Sequence, residues 1–390
     1  MEFPQDREEK RRALLRAVEN VRGVLEAHAD EAEEMRTLPA ASVAALRDSG
    51  LLALKLPAVL GGAEADPMTQ FEVFEAASYI DPSAGWCLFI GAASAGMPAA
   101  FLPDSAIAKI FAGGRIPNFA ASLTPGATMV PVEGGYRLSG RCSWASGIRH
   151  SDYISMRGEV VREGRGCPRE FRVCVVPVKD GQIHDNWHVM GLKGTGSCDF
   201  SVTDLFVPQD FTHDAMAKPV RGGPMYGLTF LGYVAPEAPA FALGVARRAL
   251  DEVIALARSK ARGYTKSVPL AGRAVFQRAI AESELRLRAA RAMMLETLEK
   301  SWATISARPA AEPPMLAELR AAGAFVMDLA LEVTTAAFRY GAGSAVRLGS
   351  LLQRCLRDLQ TASTHLIVND SSYENYGQFI LGLPGADPMA

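Results

Sequence analysis

The stretch that decides the fold lies in the middle of the chain: GGYRLSGRCSWASG at residues 134–147 and MGLKGTGSCDFSVTDLFVP at residues 190–208. Both combine short apolar or β-branched runs with turn residues, a pattern typical of β-strands. DYISMRG at 152–158 and FRVCVVPV at 171–178 add strands of the same kind. No helical segment separates these strands, which argues against a parallel sheet with helical crossovers. The pattern predicts a small antiparallel barrel or sandwich over residues 113–227.

The residues on the N-terminal side, 1–112, predict a helical domain. Pro39 and the pair Asp66-Pro67 are typical of helix starts, and Gly50 is typical of the left-handed residue that ends a helix. In the first helix, apolar residues recur at helical spacing among charges: Leu14, Val18, Val21 and Leu25.

One segment in this half, Gly85 to Leu102, is uncharged and long enough to span a bilayer. It consists mostly of Ala, Gly and Ser, contains Pro98 and lacks a flanking basic cluster. These features favour a buried core helix over a membrane span.

The C-terminal residues, 228–390, predict an up-and-down four-helix bundle. Amphipathic segments joined by short links occupy residues 236–261, 275–302, 313–341 and 344–370. Helices with apolar faces this large usually need more burial than one protomer offers, which predicts a homotetramer. The whole chain is therefore expected to be α+β, with helices first, strands next and a helical bundle last.

The composition and the absence of several motifs argue against several classes of partner and enzyme. Lys and Arg number 41 against 43 for Asp and Glu, so the net charge is -2, which argues against a nucleic-acid partner. The six cysteines form no CxxC pair, and no signal-peptide pattern opens the chain, so we expect a cytoplasmic protein with reduced thiols. The chain has no Walker loop, no GxGxxG after a strand, no HExxH and no GxSxG. His184 and His188 are four residues apart, but a metal site needs a third ligand, so no metal is expected.

Five stretches, in this order along the chain, resemble the acyl-CoA dehydrogenase family. They are LRDSGLLALKLPAVLGG (46–62), the two central stretches quoted above, ALGVARRALDEVIALA (242–257) and LQRCLRDLQT (352–361). The resemblance covers nearly the whole chain. It implies an α-helical domain, a β-domain and a four-helix bundle that together bind a flavin.

The expected catalytic carboxylate is missing. Many members of the family carry a glutamate about nine residues after the arginine of an Arg-Asp pair; here the pair is Arg357-Asp358 and the position falls near Leu366. Asp370 and Glu374 lie further downstream. A base must reach the proton that it removes, so a leucine there removes the dehydrogenase chemistry. Some members take the base from the first bundle helix, where Asp251 and Glu252 stand, although a solvated helix face explains this pair equally well.

His365 stands beside the missing glutamate. Flavin monooxygenases with this fold resemble the chain here, in the string RDLQTASTH. Such enzymes form a flavin C4a-hydroperoxide, which needs a hydrogen-bond donor and a dry pocket, and a histidine also takes a proton from a phenol or an amine. The structural alternative is a helix histidine bonded to a neighbouring carbonyl group.

The other flavin contacts also come from the resemblance. It implies that Trp144 covers the flavin ring and that Ser146 places its hydroxyl near flavin N5, where in a monooxygenase this serine is also a catalytic candidate that holds the distal peroxide oxygen. A turn serine and a core tryptophan explain the pair too. Asn118 and Ser122 are candidates for the pyrimidine edge, with ordinary turn roles equally open. The remaining candidates are Arg262 or Lys260 for the phosphate, and Gly341 and Gly343 for the adenine half.

The sequence therefore predicts the oxygenase component of a flavin-dependent monooxygenase. Reduced FMN, or FAD, comes from a separate reductase because the chain has no nicotinamide site. With O2 it hydroxylates a small aromatic or amine-bearing natural-product substrate, on carbon or nitrogen. The alternatives are an acyl-CoA dehydrogenase that oxidises a thioester with FAD, and a flavin-binding or scaffolding homologue without turnover.

Overall fold

The computed structural model describes residues 2–162, 169–259, 261–262, 268–308 and 310–388. The chain forms two compact units. The first unit comprises Met1–Ala65, Trp86–Val189 and Lys193–Gly227, and the second comprises Asp66–Gly85, Met190–Leu192 and Leu228–Ala390. The domain boundaries expected at 112/113 and 227/228 stay predictions.

The α-helices within the described residues are numbered in chain order. They are α1 Arg7–Ala27, α2 Ala29–Met35, α3 Ala40–Asp48, α4 Pro67–Ile80, α5 Pro82–Phe101, α6 Asp104–Ile110, α7 Thr229–Val234, α8 Glu237–Ser259, α9 Ala274–Ala307, α10 Pro313–Gly341, α11 Leu351–Ala362 and α12 Ser371–Ile380.

The strands are numbered in the same way. They are β1 Phe119–Val132, β2 Gly135–Cys142, β3 Tyr153–Val160, β4 Glu170–Pro177, β5 Gln182–His184, β6 Asp199–Pro208, β7 Thr212–Asp214 and the short pair β8 Ala261–Arg262 and β9 Val268–Pro269.

The N-terminal helices begin and end where their capping residues predict. The Asp66 carboxylate accepts a hydrogen bond from the backbone N–H of Thr69 at 3.1 Å, and Pro67 occupies the first turn of α4. Gly50 has a φ of 78°, which is left-handed, just after α3. The predicted inward face of α1 is buried: Leu14, Val18, Val21 and Leu25.

The first unit is built around a seven-stranded sheet in the order β5-β6-β2-β1-β3-β4-β7. β1 and β2 form an antiparallel hairpin, and β3 pairs in parallel on the other side of β1. The reason is that the chain leaves β2 through residues 143–152 and returns beside β1 in the same direction. The sheet is therefore mixed, and not purely antiparallel as expected, although the other pairings among the described strands are antiparallel.

The core of the first unit consists of side chains from both faces of this sheet and from the helices beside it. Fully buried side chains from the strands include Met129, Leu138, Ile154, Cys174 and Phe200. At another cluster the helices α5 and α6 pack against β1 and β4: Ala95, Leu102, Ile107, Phe119 and Val175.

Within the described residues, two helices, Pro82–Phe101 and Pro313–Ser344, are long and apolar enough to cross a membrane by length and composition alone, and the bent pair Pro224–Val234 and Glu237–Arg258 passes the same test if it is counted as one span. The most apolar window of the first is 83% buried within the protein, as a core helix requires, and that of the second is 56% buried.

The second unit is a helical bundle in which α10 contacts α8, α9, α11 and α12, and α4 packs on α8. Residues 275–302 and 313–341 are helical as predicted. The fourth helix is shorter than predicted, because α11 ends at Ala362 and α12 follows as a separate helix. His365 therefore lies after the helix and caps a short 3-10 turn, Leu366–Val368. The predicted fold class, helices followed by a β-domain and a helical bundle, is confirmed.

We expect Gly244→Ala to destabilise the second unit. A Cβ atom at Gly244 of α8 would lie 2.3 Å from the carbonyl oxygen of Glu75 in α4, so the two helices would have to separate. Overpacking of this kind costs about 1–3 kcal/mol. Urea unfolding measures the loss.

The matched control is Gly377→Ala in α12, where a Cβ atom would meet nothing within 4 Å. Alanine favours a helix interior over glycine by roughly 0.5–1 kcal/mol, so this variant is expected to be neutral or more stable. Equal free energies of unfolding for the two variants would contradict the close packing of α4 on α8.

Candidate functional site

The candidate site in the first unit is centred on the turn Ser143–Gly147 between β2 and β3. Trp144 has a φ of 60°, a conformation that is an outlier for a bulky residue, and its side chain is 65% exposed. Ala145 donates its N–H to the carbonyl oxygen of Cys198 at 3.2 Å, and Gly147 donates to that of Thr195 at 2.8 Å. The turn is thus fastened to the loop 195–198 and presents an aromatic side chain outward.

Behind the turn lies a chain of buried polar side chains. Trp86 donates its indole N–H to Ser146 Oγ at 3.1 Å. Ser146 Oγ lies 2.7 Å from Ser197 Oγ, which lies 2.7 Å from Thr195 Oγ1. All of these residues are at most 6% exposed. We call Trp86, Ser146, Ser197 and Thr195 the hydroxyl chain.

A cavity of about 20 Å³, enough for about one water molecule, lies against Asn118, Gly147 and His150. Asn118 donates its side-chain N–H to the carbonyl oxygen of His150 at 2.9 Å, and its Oδ1 atom is buried without a partner among the described residues. His150 Nδ1 lies 3.3 Å from the hydroxyl of Thr37. Burial lowers the pKa of His150 to about 4, so the ring is neutral at pH 7.

Ser122 holds the turn from the other side. Its hydroxyl donates to the carbonyl oxygen of Ser143 at 2.9 Å and lies 3.2 Å from the hydroxyl of Thr124. The structure therefore brings the predicted residues Asn118, Ser122, Trp144 and Ser146 together around one turn.

His365 belongs to the second unit. Its Nδ1 atom accepts a long hydrogen bond of 3.4 Å from the backbone N–H of Ile367, which places the ring proton on Nε2. Burial lowers the pKa of His365 to about 4, so at pH 7 the ring is neutral and carries an N–H donor. Leu366, at the position of the expected glutamate, is 56% exposed.

The Arg357-Asp358 pair has a structural task in the second unit. Asp358 is 1% exposed and accepts the backbone N–H of Leu192 at 2.5 Å. Arg357 donates to the carbonyl oxygen of Met190 at 2.5 Å. A Cβ atom at Gly191 would lie 2.1 Å from the carbonyl oxygen of Arg357, so the segment 190–192 passes too close to α11 for any other residue.

The alternative base in the first bundle helix is engaged elsewhere. Asp251 accepts from Arg247 at 2.5 Å and from the hydroxyl of Tyr79 at 3.1 Å. Its side chain is 43% exposed and forms an ion pair with Arg247, which itself binds Glu284.

The other predicted flavin contacts are two glycines and two basic residues. Gly341 is a packing position, because a Cβ atom there would lie 2.5 Å from Leu352 Cδ1. At Gly343 a Cβ atom would meet nothing within 4 Å. The side chain of Arg262 and the whole of Lys260 lie outside the described residues.

Metal ligands are not grouped in the part of the chain that the structure describes: no set of three or more His, Cys, Asp or Glu residues there could hold an ion. The ring of His184 contacts the Ser201 hydroxyl at 2.8 Å, and that of His188 contacts the Arg36 guanidinium at 3.2 Å.

Two family models match the chain. The acyl-CoA dehydrogenase N-terminal domain matches residues 7–102 and the acyl-CoA dehydrogenase C-terminal domain matches residues 238–370, together more than half of the chain. The chain belongs to the acyl-CoA dehydrogenase family.

Relatives within this family are flavin monooxygenases and hydroxylases by name. An indole-3-acetate monooxygenase of Pseudomonas putida is 29% identical over 91% of each chain. A pigment production hydroxylase of a Rhodococcus strain is 29% identical over 93% of this chain and 94% of its own. Among solved structures, XiaF from a Streptomyces species, in complex with FADH2 and glycerol, superposes with a TM-score of 0.90 over 98% of each chain at 24% identity. This last likeness shows the shared fold.

The turn of this acyl-CoA dehydrogenase family member has groups that suit a flavin ring. Trp144 offers an exposed aromatic face, and Ser146 offers a hydroxyl. The buried Oδ1 atom of Asn118, unpartnered within the described ranges, is an acceptor that a ligand N–H or a water molecule would satisfy. A hydroxyl group and a stacking face therefore lie in this turn and an acceptor lies beside it, a set of groups that suits a flavin ring.

Sequence reasoning missed Trp86, His150, Thr195 and Ser197. The string TGS at 195–197 held the only local signal, because two hydroxyl residues flank a glycine between predicted strands. His150 sits three residues after Gly147 in the folded turn, where Gly147 has a φ of 78° and packs against its ring.

We expect the free energy of unfolding to fall as the pH is lowered from 7 towards 4. The folded pKa values of His150 and His365 lie near 4, below the ordinary value of 6.5, so in this window the unfolded chain binds more protons than the folded one. The loss between pH 7 and 5 is about 1 kcal/mol for each ring, after allowing for its partial exposure. Urea unfolding at both pH values measures it.

A His365→Gln variant should lose less stability over this pH range than the wild type. An unchanged pH dependence in His365→Gln would show that the ring is not held neutral by burial.

Proposed function

We propose that the protein is the oxygenase component of a flavin-dependent monooxygenase. It takes up reduced flavin, FMN or FAD, and uses O2 to hydroxylate a small aromatic or amine-bearing substrate on carbon or nitrogen. When bound, reduced flavin supplies the two electrons that activate O2. One oxygen atom enters the substrate, the other leaves as water, and the flavin ends oxidised.

The observation that carries the proposal is the backbone of Trp144. A left-handed φ at a bulky residue costs on the order of 1–3 kcal/mol, and such strain clusters at ligand sites. Exposure of the ring adds a further cost, because an aromatic side chain gains most when it is buried. A planar ligand stacked on the ring would recover that burial. The resemblance implies that this ligand is the flavin ring and that the Ser146 hydroxyl lies near its N5 atom.

His365 is proposed to act on the oxygen or on the substrate. Of the two roles expected for it, the structure supports the hydrogen-bond donor, because the neutral ring carries its proton on Nε2 and Nδ1 already accepts from Ile367. A neutral donor retains its proton at pH 7 and stabilises a developing negative charge.

The dehydrogenase alternative has little support in the side chains. Leu366 stands near the position of the expected glutamate. The Asp251 carboxylate accepts hydrogen bonds from Arg247 and from the hydroxyl of Tyr79. A base must lie within hydrogen-bond reach of the proton that it removes, and both carboxylate oxygens of Asp251 already accept hydrogen bonds from these two side chains.

The partners follow from the same proposal. A separate reductase supplies the reduced flavin, as the predicted absence of a nicotinamide site implies, and the names of the relatives support an oxygenase role. Asn118 and Ser122 would contact the pyrimidine edge, Arg262 the phosphate and Gly343 the adenine half of FAD. The homotetramer and the cytoplasmic location remain part of the proposal.

We expect reduced flavin to bind more tightly than oxidised flavin, with FMN at least as tight as FAD. Trp144→Leu should weaken binding of both redox forms about tenfold, because a ring pair contributes roughly 0.5–1.5 kcal/mol beyond its buried area. Anaerobic titration of each flavin gives the dissociation constants.

The control is Phe206→Leu, at an aromatic residue of β6 that is 44% exposed but lies in ordinary strand pairing. It should bind flavin like the wild type. Equal loss in both variants would contradict the stacking role of Trp144. A thioester-dependent bleaching of oxidised flavin without O2, and no ¹⁸O in any product formed under ¹⁸O2, would favour the dehydrogenase.

His365→Ala is expected to keep the fold and flavin binding but to lose hydroxylation by about 10²–10³-fold, the range for removing one hydrogen-bond donor to a developing negative charge. The flavin should still be oxidised, and the O2 consumed should appear as hydrogen peroxide. Product and peroxide, measured together per O2 consumed, give the coupling.

His365→Gln retains an N–H donor and should recover part of the coupling. Leu366→Ala, at the exposed neighbouring residue, is the matched control and should couple like the wild type. Wild-type coupling in His365→Ala, with only a lowered Tm, would show that the histidine is structural.

A further inference from the structure

The side chains of the hydroxyl chain can be hydrogen-bonded in more than one way. Trp86 supplies an N–H that only donates, so Ser146 Oγ must accept it and one of its two lone pairs is filled. Ser197 lies 2.7 Å from Ser146 on one side and 2.7 Å from Thr195 on the other. In both contacts either oxygen can be the donor, so the chain of hydroxyl hydrogens can run in two directions.

The direction decides what Ser146 offers to a ligand. When Ser197 donates to Ser146, both lone pairs of Ser146 Oγ are filled and its hydrogen is directed to an acceptor outside the chain. When Ser146 donates to Ser197, its second lone pair is open to an outside donor and Ser197 passes its own hydrogen to Thr195. In each arrangement the hydrogen and both lone pairs of Ser146 Oγ have partners. A serine whose neighbour could only donate, or only accept, would lack a partner in one of the two arrangements.

The hydrogen bonding of the flavin N5 atom changes with the redox state, and the two arrangements of the hydroxyl chain match the two states. The N5 atom of oxidised flavin accepts a hydrogen bond, whereas the N5–H of reduced flavin donates one. Reversal of the hydroxyl chain lets Ser146 donate to the first and accept from the second.

We propose that Ser197 is a positioning residue that lets Ser146 bind both redox states of the flavin, and that its loss selectively weakens the reduced state. The inference rests on the proposed function, which places Ser146 at N5. Against oxidised flavin, Ser146 in a Ser197→Ala variant still accepts from Trp86 and donates to N5. Against reduced flavin, Ser146 accepts from Trp86 and from N5–H, and its own buried hydrogen has lost its acceptor.

The test is an anaerobic titration of Ser197→Ala with oxidised and reduced FMN, together with the midpoint potential of the bound flavin. We expect reduced FMN to bind about tenfold more weakly and oxidised FMN to bind as in the wild type. By linkage the potential falls by about 30 mV, the value of a tenfold change for a two-electron couple. Where Ser197→Ala fails to fold, Thr195→Val decides in its place with the same expected sign, because it removes the acceptor for the Ser197 hydrogen.

Two controls separate this role from packing. Ser155→Ala removes a buried hydroxyl of the same sheet that has no partner in the described part of the chain, and should leave the ratio of the two dissociation constants unchanged. Trp86→Phe removes a donor that serves Ser146 in both redox states, so both dissociation constants should change by the same factor.

The double variant completes the test. Once Ser146 is replaced by alanine, the further change Ser197→Ala should not alter the ratio. A wild-type ratio in Ser197→Ala, with flavin bound, overturns the inference and leaves the proposed function intact. A wild-type protein that binds neither form of the flavin overturns the proposed function and the inference with it.

Discussion

The candidate site depends on two backbone hydrogen bonds that fasten the turn after β2 to the loop before β6. Ala145 and Gly147 donate their N–H groups to carbonyl oxygens of residues 198 and 195. A strained backbone conformation persists only where several surrounding contacts fix it. These two hydrogen bonds fix the backbone on the C-terminal side of Trp144. The same fastening brings Ser146 against Ser197. The exposed indole and the buried hydroxyl chain are therefore held in place by the same two backbone hydrogen bonds.

Most of the fold could be predicted because its signals are local. Caps at Asp66 and Gly50 and the apolar spacing of α1 lie within single elements, where sequence distance and spatial distance agree. The parallel pairing of β1 with β3 could not, since it depends on the path of the ten residues between β2 and β3. The end of α11 was also missed. Ser363 and Thr364 donate their hydroxyls to carbonyl oxygens one turn back, and such bonds compete with helix propagation while the apolar spacing continues to Leu366.

The site could be predicted only where a resemblance supplied it. Trp144 and Ser146 stand in one quoted stretch, and the structure gives both a physical reason to be special. Trp86 and His150 stand in no quoted stretch, and Ser197 stands in one without a predicted role. Each acquires its role from a partner far along the chain: Ser146 for Trp86 and Ser197, and Thr37 for His150. Long-range partners of this kind follow from the topology of the sheet and its flanking helices. A hydroxyl chain is invisible until the topology is known.

The string RDLQTASTH shows how one scaffold can carry different chemistry. Arg357 and Asp358 hold the segment 190–192 by bonds to its backbone, a task that does not depend on the residue at 366. A family member can therefore lose the glutamate that a dehydrogenase needs and keep the bundle intact. What remains nearby is an imidazole whose pKa is lowered to about 4 by burial. A carboxylate there would bring a negative charge at pH 7, which would repel an anionic oxygen species, whereas a neutral N–H donor stabilises one. Under the proposed function, a neutral donor beside Leu366 takes the place of the acid that a dehydrogenase uses.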